Sequence, residues 1–109
     1  MNIEFLYHWS PKVRRKSIQC EGLVIGKPST TATVPQPFLC FSPNPWTAWE
    51  LSGNTASPGV FVAWDLWMVT LSHTDEVRVS PQWGGVIREV HISNDIPPNR
   101  ITWIGERIF

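Results

Sequence analysis

An α+β fold, with a mainly antiparallel sheet and two short helices in the N-terminal half, is predicted by three features of this chain. Helical spacing behind a proline-marked start occurs twice, both times before Gly53. Strand-like runs dominate after that residue. Regular alternation of strand and helix, the mark of a parallel sheet, is missing beyond it. A chain of 109 residues has room for one core, so residues 1–109 are read as a single domain.

Each element has a local reason. Ile3 to Ser10 is aromatic-rich and suits a strand, with Phe5, Tyr7 and Trp9 expected on the core face and Leu6, His8 and Ser10 on a partly polar wall. Ser10-Pro11 reads as an N-cap and first helical residue. Val13, Ser17, Ile18 and Cys20 then follow at helical spacing until Gly22 stops the helix, and Lys12, Arg14, Arg15 and Lys16 give it a solvated basic face. Gly26 to Pro37, rich in Ser, Thr and Pro, reads as a surface loop long enough to fold over a neighbouring cleft. Phe38 to Ser42 is a second short strand, and Asn44-Pro45 opens a helix carrying Trp46, Ala48, Trp49 and Leu51, ended by Ser52-Gly53. Val60 to Val69 is apolar on both parities apart from Asp65, as in a central strand buried on both sides. Shorter strands follow at Glu76–Val79, Val86–Ile92 and Ile101–Ile108, with a tight bend at Asp95–Asn99.

Composition excludes several classes. Nine Lys plus Arg balance nine Asp plus Glu, so no global field attracts a nucleic-acid backbone or an anionic membrane. No stretch of about 20 apolar residues is present to span a bilayer, and no membrane partner is expected. The N-terminal residues carry Glu4 where a targeting signal has its basic region, so a cytoplasmic protein with reduced thiols is expected. Cys20 and Cys40 are joined to His8, His73 or His91 by no CxxC or HxxxH spacing, and no metal is expected. Seven Trp in a chain that is 17% charged must fill the core or line a cleft.

Chemistry-bearing residues are few. Glu89 and His91 share one strand face, opposite Val90 and Ile92, and form either a polar wall over a cleft or a solvated edge. His8 stands in the aromatic first strand. A Ser42-His8-Asp65 triad lacks the GxSxG elbow, and Cys40 sits in an apolar strand where thiols pack as small hydrophobes.

Leu6-Tyr7-His8-Trp9-Ser10, Ile18 and Gly22-Leu23 together resemble the opening signature of ADP-ribosyltransferases of the poly-ADP-ribose polymerase and diphtheria-toxin type. Leu39-Cys40-Phe41-Ser42 with Thr47-Ala48 is similar to that family's second block. Glu89-Val90-His91-Ile92 with the Ile96 to Ile101 bend is similar to its third. The resemblance implies a split antiparallel sheet that takes NAD as substrate, without a metal, and transfers ADP-ribose to a protein or nucleic-acid acceptor. It implies Glu89 as the carboxylate that binds the nicotinamide-ribose hydroxyl and stabilises the oxocarbenium-like transition state, with His8 on the adenosine ribose. The Trp9 backbone and Thr47 would meet the nicotinamide amide, and Trp49 would stack on its ring. Ser10, Cys40 and Ser42 complete the nucleotide-binding set at motif positions, and Arg14 or Arg15 is assigned to the pyrophosphate from charge alone. Trp9 stands where the family has glycine, and Cys40 where it has tyrosine. These departures motivate the alternative of a catalytically degenerate module that binds a nucleotide or a protein partner through a Trp-rich cleft.

Overall fold

A computed structural model of the protein describes residues 4–26, 37–52, 63–79 and 88–108. The elements are β1 (Phe5–Pro11), a 3-10 turn (Lys12–Arg14), α1 (Arg15–Glu21), β2 (Leu39–Phe41), α2 (Pro45–Leu51), β3 (Ala63–Thr70), β4 (Val77–Val79), β5 (Val90–Ile92), a second 3-10 turn (Pro98–Arg100) and β6 (Ile101–Ile108). They form two antiparallel sheets, ordered β1-β3-β6 and β2-β5-β4. The expected α+β class, with two short helices in the N-terminal half, is therefore found. The expected loop over 26–37 lies mostly outside the described residues, as do the starts of the runs expected at 60 and 86 and the Gly53 helix stop. No helix among the described residues is long and apolar enough to cross a membrane.

β3 is the central strand of the first sheet, as its two-sided apolar pattern requires, with Trp64, Asp65, Trp67 and Val69 all buried. One face of this sheet joins Leu6, Trp67 and Val69 to Ile18 of α1 and to Phe41, Val90 and Ile92 of the second sheet. The other packs Trp9 and Trp64 on Ala48 of α2. This corrects the reading of β1: Leu6 and Ser10 are 0% and 1% exposed, whereas Phe5 is 43% exposed. Period two identifies residues that share a face, but here helices cover both faces, so neither is simply the outside.

Ser10 is not an N-cap. Its hydroxyl accepts the Trp67 indole N–H at 2.9 Å, and β1 runs on through Pro11 into the 3-10 turn. Of the helical residues at Val13, Ser17, Ile18 and Cys20, Ile18 alone is buried. The basic face is partly tied to the first sheet. Arg15 donates from Nε and Nη2 to the buried Asp65 carboxylate at 3.0 and 2.6 Å, and from Nη2 to Glu106 at 3.1 Å. Lys12 also pairs with Glu106 at 2.9 Å, and the Trp103 indole N–H donates to Asp65 at 2.9 Å.

α1 stops at Gly22 as expected, because the backbone there has φ 81° and ψ −161°. A Cβ at this position would overlap the Ile96 carbonyl oxygen. That close approach lets Leu23 and Ile96 exchange two backbone hydrogen bonds of 2.9 Å, fixing the helix end to the bend before β6. α2 also starts where its sequence indicates, with the Asn44 side-chain oxygen accepting the Trp46 and Thr47 N–H groups at 2.8 and 3.2 Å.

Candidate functional site

Among the described residues the two sheets meet at one isolated bridge. The Tyr7 N–H donates to the Ser42 carbonyl at 2.8 Å, and the Ser42 N–H to the Tyr7 carbonyl at 3.1 Å. A continued antiparallel ladder would set Trp9 opposite Cys40. Instead, His8 Nδ1 lies 3.0 Å from the Cys40 carbonyl oxygen. A carbonyl only accepts, so Nδ1 carries the proton and the imidazole side chain takes the place of a ladder bond. The sheet divides at this point.

Burial, against the hydrogen bond to Cys40 and with a smaller contribution from the Arg14 cation, pushes His8 down to about 4. The ring is therefore neutral near pH 7, and its Nε2 presents a lone pair. The ring is tilted against Phe41, with centroids 5.5 Å apart. Arg14 is itself half-buried, which lowers its pKa.

Cys40 lies directly across from His91 in the β2–β5 register, and Arg78 of β4 flanks His91 on its other side. β5 is thus a central strand, not a solvated edge. Val90 and Ile92 are fully buried on one side, while Glu89 and His91 form a polar wall on the other. His91 Nε2 donates to the Glu89 carboxylate at 2.8 Å, and the His91 ring stacks on Phe38 with centroids 4.0 Å apart and planes at 11°. The Cys40 thiol also donates to Glu89; burial and this carboxylate push the thiol up to about 12. Cys40 is therefore a protonated donor and a poor nucleophile near neutral pH.

His8 therefore meets the Cys40 backbone carbonyl, while the Cys40 side chain approaches Glu89, just before β5, and His91 within it. Other expected site residues are placed elsewhere. Trp9 turns its indole to the α2 side, where the ring N–H donates to the Pro45 carbonyl at 2.8 Å. Trp49 stands on that same side, edge-on to Trp9 and Trp64 at 4.9 and 5.4 Å, with the Arg107 guanidinium 4.6 Å over its ring. Thr47 lies in the first turn of α2, and Ser42 is buried with its hydroxyl accepting the Asn44 N–H at 3.2 Å. Ser10 and Arg15 are occupied by Trp67 and by Asp65 with Glu106, so Asp65 has no triad role beside His8.

Sequence spacing missed the cluster formed by Cys40, Glu89 and His91, whose donor atoms all lie within 4.8 Å of one another. They are joined by strand register rather than by a short motif. The available signal was the Glu89 and His91 pair on one strand face. No protein-family model matches the chain, and no curated protein matches it in sequence.

Proposed function

We propose that the protein is a small ADP-ribosyltransferase-like domain that binds NAD at the divided sheet and transfers ADP-ribose to a protein or nucleic-acid acceptor. The observation that carries this reading is the parting of β1 and β2, where His8 bonds the Cys40 carbonyl and the Cys40 side chain approaches Glu89. There the neutral His8 accepts a hydrogen bond from an adenosine-ribose hydroxyl at Nε2. The Glu89 carboxylate, held by His91 and Cys40, faces the nicotinamide ribose, where positive charge develops as the glycosidic bond to nicotinamide breaks. Neutral nicotinamide leaves and a nucleophile of the acceptor takes its place. Tyr7 directs its N–H and C=O to Ser42, so the two-residue strand repeat turns the Trp9 N–H and C=O toward the same edge. There they are offered to a carboxamide, which both donates and accepts. Half-buried Arg14, beside His8, is better placed than Arg15 for the pyrophosphate, since Arg15 is paired with Asp65.

Nicotinamide release from NAD by the purified protein, with and without lysate as a source of acceptors, tests this reading. Release that disappears in Glu89→Gln, with the circular dichroism spectrum unchanged, is the expected result. Equal release by that variant removes Glu89 from the mechanism, and no release by wild type under either condition removes the transferase. The second reading, a non-catalytic module, is favoured by the two internal donors already on Glu89. It predicts that ADP-ribose or a protein partner quenches Trp fluorescence without turnover.

A further inference from the structure

Cys40, Glu89 and His91 offer one sulfur, one oxygen and one nitrogen donor, all within 4.8 Å of one another and all partly buried. A four-coordinate zinc-class ion needs bonds of about 2.3 Å to sulfur and about 2.0–2.2 Å to nitrogen and oxygen, which sets donor separations of about 3.3–3.6 Å. The present spacings, from 2.8 Å between Glu89 and His91 up to that limit, bracket this range. Three further features prepare the cluster. Cys40 and His91 are register partners, and strand alternation makes them a pair without mutual backbone hydrogen bonds, the type that brings side chains closest. Phe38 stacks on the imidazole and fixes its plane. The same side chains already share hydrogen bonds through Glu89, so ligation replaces protons between fixed donors rather than assembling distant ones.

We propose that Cys40 Sγ, the Glu89 carboxylate and His91 Nε2 form a binding site for a single thiophilic divalent cation of the zinc class. The donor set fits such an ion and not magnesium or calcium, which prefer all-oxygen shells. On binding, the Cys40 thiol releases its proton to solvent, and the proton that His91 Nε2 donates to Glu89 passes by way of solvent to Nδ1, freeing the Nε2 lone pair to ligate. A thiolate and a carboxylate together neutralise the dication, which suits a partly buried position. Three protein donors leave a fourth position for water. Where the NAD reading also holds, the ion takes Glu89 from the ribose and zinc inhibits NAD cleavage. The site itself is independent of that reading and is tested without nucleotide.

The test is a titration of the purified protein with cobalt(II), in a Cys20→Ser background because Cys20 is an exposed thiol that competes as a ligand. The expected result is a near-ultraviolet thiolate-to-cobalt charge-transfer band that saturates at one equivalent and is abolished by zinc. Cys40→Ala should remove the band, and His91→Ala should weaken cobalt binding by about tenfold or more. Absence of the band in a protein whose circular dichroism shows it folded overturns the proposal. So does a band that persists unchanged in Cys40→Ala.

Discussion

Replacing Gly22 by alanine should be among the most damaging single-methyl additions to this fold, and Gly26 supplies its control. Both residues have positive φ, 81° and 91°. Around Gly26 an added Cβ meets nothing within 4 Å, so Gly26→Ala carries the backbone term alone, about 1–2 kcal/mol. Gly22 has φ 81° and ψ −161°, a region nearly confined to glycine, for which strain is about 1–3 kcal/mol. Its Cβ would also collide with the Ile96 carbonyl, which is backbone and cannot rotate away. The helix end must then separate from Ile96, losing the two Leu23–Ile96 hydrogen bonds at about 1 kcal/mol each. Gly22→Ala should therefore destabilise by about 3–5 kcal/mol, some 2 kcal/mol or more beyond Gly26→Ala. Urea unfolding followed by Trp fluorescence measures both, provided the two variants keep the same dependence on denaturant. A Gly22→Ala variant no less stable than Gly26→Ala would refute the claim that the close approach to Ile96 holds α1 in place.

Two other outcomes follow from the buried titratable groups. His8 is lowered from 6.5 to about 4 in the fold, so the unfolded chain binds the extra proton between these values; stability is complete above 6.5 and falls by up to about 3 kcal/mol as the pH drops to 4. Denaturation midpoints across that window should decline in wild type and flatten in His8→Gln, and equal slopes would exclude His8 as the source. The Cys40 thiol, pushed up to about 12, should resist alkylation at mildly alkaline pH while exposed Cys20 reacts, as read by peptide mass spectrometry. Faster labelling at Cys40 would contradict its hydrogen bond to Glu89.

Local signals were the most legible part of the sequence. Asn44-Pro45 and Gly22 mark helix boundaries through backbone chemistry confined to a few residues, and the structure uses them as such. The central position of β3 was legible because a strand covered on both faces cannot alternate polar and apolar residues. What period two could not reveal was which face of β1 meets the larger core, since that depends on where α1 and α2 land. Ser10 illustrates the same limit: its position before a proline suggests a cap, yet a Trp67 indole distant in sequence claims its hydroxyl. At the candidate site, Glu89 and His91 were visible as a strand-face pair, but their approach to Cys40 arises from β2–β5 register.

The two departures from the transferase pattern have different physical weight. At position 9 bulk matters little to the divided sheet, because the indole is held beside α2 by the Pro45 carbonyl and by Trp49. Position 40 is different, since its side chain touches Glu89 and exchanges an aromatic ring for a thiol. The nearest flat surface is then the stacked Phe38–His91 pair, borne by the strand partner of Cys40 and the residue before β2. On the proposed reading Cys40 acts through its contact with Glu89, and its thiolate is what would distinguish a metal-holding cluster from a ribose-holding one.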